Sequence, residues 1–183
     1  MGADLINDTW AGADADLVKV AAARRAGIVC SHTGGMEVRT RPHRVAYGEN
    51  PEDVVAAVIA DVTRAAAAAE AEGVARDSIV IDPTHDFGKN THHGLLLLRH
   101  VKDLVNTGWP VLMALSNKDF VGETLGVDLD DRVEGTLAAT ALSAASGAPI
   151  FRVHEVAATR RVVDMVAAIA GTRPPARTVR GLA

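Results

Sequence analysis

The segment Ile79-Val80-Ile81-Asp82-Pro83 restricts the fold more than any other part of the chain. Three apolar residues rich in β-branching run without interruption into an acidic one. A strand buried on both faces reads as a continuous apolar run, whereas a half-solvated strand alternates. Proline has no N–H to give a ladder, so pairing is expected to stop at Pro83. Asp82 then stands at the carboxyl end of a buried parallel strand, which is where α/β folds bind ligands.

The same design recurs over residues 3–8, 28–32, 110–116 and 148–154, each an apolar run that ends in polar side chains. Helical spacing fills the intervals. Leu17, Val18, Ala21 and Ala22 share one face of a helix predicted over 14–25, with Gly27 as its stop. Asn50 and Pro51 predict the cap and first position of a helix running to about residue 72. Leu95, Leu98, Val101, Leu104 and Val105 form the stripe of a helix over 90–106, and two more are predicted over 130–146 and 157–170. Five strand–helix units in strict alternation predict a parallel sheet. A closed barrel of such units takes eight of them and about 250 residues, so an open sheet and part of a barrel both fit the pattern. One domain over 1–171 is expected, followed by a flexible tail over 172–183 with two prolines and three arginines. The long loop over 33–50 is of the kind that carries function.

Composition removes several classes. A net charge of -4 without a basic block argues against nucleic acid as a partner. Cys30 is the only cysteine, which excludes an internal disulfide and a multi-cysteine metal site. It falls in a strand and reads as a small buried hydrophobe. No apolar run spans a bilayer and no signal peptide is visible, so no membrane partner and a cytoplasmic location are expected. His92 and His93 are adjacent and cannot share a helical face, so no metal site is expected there. P-loop, Gly-x-Gly-x-x-Gly and H-E-x-x-H patterns are missing from the sequence.

The polar strand ends are Asn7 with Asp8, His32, Asp82, Asn117 with Lys118, and Arg152 with His154. A parallel sheet brings such ends to one edge, although strand ends meet solvent and are polar for that reason too. Arg152 and His154 project to one side because alternate residues of a strand do. A cation and an imidazole at the end of an apolar strand call for an anion or an acidic neighbour. Asn7 and Asp82 suit a flat heterocycle with N–H and amino donors. Lys118, Arg152 and His154 suit an anionic group such as phosphate.

Five ordered segments carry a resemblance: residues 2–8, Ser31-His32 with Gly34-Gly35, Asp82-Pro83 through Phe87-Gly88-Lys89, Ser116-Asn117-Lys118-Asp119-Phe120, and Arg152-Val153-His154-Glu155-Val156. They resemble dihydropteroate synthase, the pterin-binding TIM-barrel enzyme of folate synthesis. That family joins p-aminobenzoate to 6-hydroxymethyl-7,8-dihydropterin diphosphate and releases diphosphate. The resemblance implies that the chain is the last five of eight βα units of the barrel. It implies that Asn7, Asp82, Phe87 and Lys118 meet the pterin, and that His32, Arg152 and His154 meet the diphosphate. It also implies a homodimer. The family's Mg2+ is used through an opening motif that this sequence does not contain, so no cofactor is expected on this chain.

Two motifs depart from the family. Thr84, His85 and Asp86 replace a Gly-x-Gly, and Asn117 replaces an arginine. The altered set resembles the second, inactive synthase-like copy of actinobacteria, so weak or absent turnover is expected. A non-catalytic pterin-binding or structural paralogue is the alternative. A methyltetrahydrofolate-type methyltransferase barrel is the weaker one, since Ser-x-Lys and Arg-x-His resemble the synthase more closely.

Overall fold

A computed structural model describes residues 2–36 and 45–180. Five parallel strands follow one another in chain order: β1 (Leu5–Asp8), β2 (Gly27–Ser31), β3 (Ile79–Asp82), β4 (Leu112–Met113) and β5 (Ile150–Phe151). β1, β2 and β3 form one ladder and β4 pairs with β5. A parallel bridge between Ile81 and Val111, with the Ile81 N–H donating to the Pro110 carbonyl at 2.9 Å, joins the two pieces. The strand order has no reversal, so there is no switch point of the doubly wound kind.

The helices are α1 (Asp16–Arg24), α2 (Asp53–Ala71), α3 (Thr91–Arg99), α4 (Val101–Asn106), α5 (Asp119–Leu125), α6 (Val133–Ala145) and α7 (Val156–Ile169). Strand residues divide strictly by parity. Ile28, Cys30, Ile79, Ile81, Val111 and Met113 join the helices in the main core. Val29, Val80, Leu112, Ala114 and Ile150 form a second cluster with no helical member among the described residues. Successive strand side chains point to opposite faces, so one face of the sheet is covered by helices and the other gathers strand residues alone. Cys30 is buried in the main core, as its position in an apolar strand implies.

Several boundaries differ from expectation for local reasons. Arg25, not Gly27, takes the left-handed turn after α1 (φ 54°). Gly27 instead opens β2, where a Cβ would lie 2.6 Å from the Ser78 carbonyl. α2 begins at Asp53 and leaves Asn50 and Pro51 in the preceding turn. The helix expected over 90–106 is two helices, broken where His100 leaves helical geometry (φ -106°, ψ 17°). α5 lies between β4 and the helix predicted over 130–146, in a stretch for which no helix is predicted. Gly122 disguises it, and the Arg132 side chain packs close there, its Nε 2.4 Å from where a Cβ would stand. Thr172 and Arg173 fold back on α7, the first through its N–H to the Ala167 carbonyl at 3.0 Å. Of the loop expected over 33–50, residues 37–44 lie outside the described residues.

Candidate functional site

Asp82 ends β3 in register with Ser31, on the face that carries Val29 and Val80. Its carboxylate is 3% exposed and accepts the Thr84 N–H at 2.7 Å. Burial pushes its pKa up to about 6 against the opposing pull of that N–H and of Arg152, Lys89 and Lys118. After Asp82 the chain turns through Thr84, a β-branched residue at φ 51°. Left-handed geometry is costly for such a residue, and it survives only where the surroundings impose it. Here the Thr84 hydroxyl donates to the Asp82 carbonyl at 3.1 Å and accepts the His32 N–H at 3.3 Å.

Lys89 holds this loop from inside. Its Nζ, buried at 2% exposure, donates to the carbonyls of Thr84 (2.9 Å), Phe87 (2.8 Å) and His32 (3.2 Å). It also lies 2.8 Å from His32 Nδ1. Burial lowers its pKa to about 7, opposed by Asp82, Asp86 and Asp61. An ammonium donating to Nδ1 leaves the proton of a neutral imidazole on Nε2. That Nε2 lies 3.4 Å from Asp61 Oδ2 on α2, too long for a well-formed hydrogen bond. Burial, then the Lys89 charge, pushes His32 down to about 3. Gly88 makes the loop fit its neighbour: at φ +63°, a Cβ there would stand 2.2 Å from the Thr33 carbonyl oxygen.

β4 and β5 supply the other half. Ala114, Ser116, Lys118, Arg152, Val153 and His154 surround a cavity of about 130 Å³ at the carboxyl ends of the two strands. Arg152 is tied in through its backbone N–H to the Met113 carbonyl at 3.1 Å, and the His154 N–H donates to Ser116 Oγ at 3.1 Å. Glu155 accepts from Ser116 Oγ (3.3 Å) and Asn117 Nδ2 (3.5 Å). Asn117 sits at φ 57°, fixed by Arg132 Nη1 donating to its carbonyl at 3.0 Å and by its N–H donating to Thr136 Oγ1 at 3.1 Å. That turn aims Lys118 across to Asp86, and the two form an ion pair.

Lys118, Arg152 and His154 are therefore brought together, with Asp82 close enough to feel the charges of the first two. His32, expected to meet the same diphosphate, is not among the residues that line this cavity. Ser31 faces with Asp82, so His32, one residue on, turns toward α2 and is 1% exposed. Asn7 lies on the sheet face of Asp82 but on the edge strand β1, exposed and outside the cavity. Phe87 is half-buried in the β3–α3 loop. Sequence reasoning missed Ser116, Lys89, Glu155 and Arg132. The parity of residues 112, 114 and 116 carried a signal for Ser116 alone.

The Pterin binding enzyme family matches residues 1–154. The chain belongs to that family. Over its whole length it is 71% identical to the protein named inactive dihydropteroate synthase 2 of Mycobacterium tuberculosis, of which it covers 57%. To the Bacillus subtilis dihydropteroate synthase it is 32% identical, covering 92% of this chain and 55% of that one. Dihydropteroate synthase of Thermus thermophilus in complex with 4-aminobenzoate superposes with a TM-score of 0.85 at 36% identity, over 93% of this chain and 67% of that one. The Anaplasma phagocytophilum enzyme with bound 6-hydroxymethylpterin-monophosphate superposes at 0.84 and 27% identity, over 92% of this chain and 65% of its own. The α/β fold of this pterin-binding family member is thus that of the dihydropteroate synthases. The chain spans just over half the length of these curated relatives.

Proposed function

We propose that the protein is a dihydropteroate synthase-like member of folate biosynthesis that binds a pterin at the carboxyl ends of its strands and turns over weakly or not at all. The five strands are read as the wall of a TIM-type barrel, with the helix-free face as its interior. The carrying observation is the convergence of Lys118, Arg152 and His154 on one small cavity beside buried Asp82. Solved relatives holding 4-aminobenzoate and a phosphorylated pterin support the ligand class.

In this reading Asp82 accepts the ring N–H and amino protons of the pterin, helped by Asn7, and Phe87 lies near the ring. Lys118 meets the pterin, while Arg152 and His154 hold the diphosphate. In the synthase reaction the bond from the pterin methylene carbon to the ester oxygen breaks, and its electron pair leaves with diphosphate. The aryl amine of p-aminobenzoate forms the new C–N bond and then loses a proton. Positioned cations serve this step by stabilising the leaving group, and binding orients the amine. Among the described residues no group of three or more His, Cys, Asp or Glu is placed to hold a metal ion. The roles above belong to side chains alone.

The pairing of Lys118 with Asp86 supports weak turnover, since the carboxylate engages the cation that this reading sets against the pterin. The word "inactive" in the names of the mycobacterial relatives supports it as well. We extend the reading to a homodimer that covers the exposed Leu142 of α6 and Met165 and Ile169 of α7. The test is calorimetric titration of the intact protein with the dihydropterin diphosphate, beside an assay of diphosphate release in the presence of p-aminobenzoate. Binding with little or no release is expected. Release at the rate of an ordinary synthase overturns the weak-turnover reading.

A further inference from the structure

The loop that carries Asp86 is anchored on both sides of that residue. Lys89 grips the carbonyls of Thr84 and Phe87 on either side of it. Thr84 Oγ1 ties the start of the loop to His32, and Gly88 wedges its end against Thr33. Asp86 is thereby held against Lys118. The pair is only partly solvated, with side-chain exposures of 31% and 21%. A pair in such a place is screened less by water and salt than one on the open surface.

Around the cavity three carboxyl groups stand near two permanent cations, Lys118 and Arg152. Lys118 is matched by Asp86, and the polar groups of Ser116 and Asn117 face the Glu155 carboxylate. Asp82 adds a third carboxyl group nearby. Arg152 is the one lining cation that has no carboxylate within ion-pair distance among the described residues. A polyanionic ligand must either separate Lys118 from Asp86 or set its phosphate oxygens beside fixed carboxylates. An uncharged heterocycle meets neither obstacle.

Resting on the pterin reading above, we propose that Asp86 sets the ligand class of this cleft. It selects a pterin without phosphate groups over the diphosphate ester of the same pterin. Specificity of this kind comes from a repulsive element built against the competitor rather than from a new attraction to the favoured ligand.

The experiment titrates the intact protein, by calorimetry, with 6-hydroxymethyl-7,8-dihydropterin, with its diphosphate ester and with inorganic diphosphate. Wild type is expected to bind the free alcohol at least as tightly as the ester, and inorganic diphosphate weakly. Asp86→Asn is expected to tighten the ester by about tenfold, the equivalent of ~1.4 kcal/mol, and to leave the alcohol within a factor of about three. Circular dichroism confirms that the variant folds, and the wild-type ratio stands as a test without it. An ester bound about tenfold or more tightly than the alcohol by wild type overturns the inference and leaves the pterin reading intact. So does an unchanged ratio in folded Asp86→Asn. If neither pterin binds either protein, the pterin reading fails and takes the inference with it.

Discussion

In the proposed pterin reading, Asp82 is the residue at which stability and binding conflict. Its carboxyl group ionises at about 6 in the folded protein, against 3.8 when unfolded, because burial disfavours the charge. The unfolded chain therefore sheds its proton first. Stability from this group is whole below pH 4, falls as pH rises from about 4 to 6, and stays reduced above that by roughly 3 kcal/mol. Asp82→Asn keeps an oxygen for the Thr84 N–H and removes the charge. The variant is expected to melt at a higher temperature than wild type at pH 7.5 and to lose the wild-type decline between pH 4 and 6, while pterin affinity drops. Thermal melts at a series of pH values check this, and parallel wild-type and variant profiles would count against it. His85, three residues on in the same loop, has no counterpart in the proposed mechanism. Its ring is buried with both nitrogens unpartnered among the described residues, 5.7 Å from the Phe120 ring, and burial lowers its pKa to about 3.

The loops after β2 and β3 behave as one element, because two backbones meet where Gly88 passes Thr33. Gly88 and Gly35 both have positive φ, +63° and +71°, so alanine strains the backbone at either. Only at Gly88 would the new methyl strike a backbone carbonyl, at 2.2 Å, whereas nothing lies within 4 Å of Gly35. Gly88→Ala is expected to cost about 3 kcal/mol or more, and Gly35→Ala about 1 kcal/mol. Urea unfolding of the two variants compares them directly. Equal losses would show that the loops are not locked together. The capping box at the start of α3 continues the same loop. Asn90 accepts from the His93 N–H at 2.9 Å, and His93 Nδ1 accepts from the Asn90 N–H at 3.3 Å. His93 thus serves a helix end, and its neighbour His92 is exposed.

At the scale of the molecule, α7 is amphipathic yet buries only Thr159 among its described residues. Met165 and Ile169, one turn apart, are 61% and 75% exposed, and Leu142 on α6 is 67% exposed. This apolar surface on α6 and α7 is where the proposed dimer would pair. The protein is expected to be a dimer by light scattering, and Met165→Glu with Ile169→Glu is expected to make it a monomer of unchanged helix content. A wild-type monomer at working concentration would rule the surface out. Among the described residues no helix is long and apolar enough to cross a membrane.

Much of this was legible before any coordinates. The apolar runs located all five strands, and the polar residues after them named Asp82, Lys118, Arg152 and His154, because a buried parallel strand must surface at its end. The β4 and β5 ladders proved only two residues long, since paired backbone is fixed by neighbours that local sequence does not contain. α5 was hidden by Gly122, against which Arg132 packs from across space. His32 turns toward α2 by one residue of strand parity, which register with β3 decides. Asp86 was visible as a charge, but its pairing with Lys118 joins residues 32 apart in the chain. The sequence by itself determined which side chains stand at the strand ends, because hydrophobic runs and their breaks are local. Only the tertiary structure decided which of them meet, because contact depends on register, on loop conformation and on buried anchors such as Lys89.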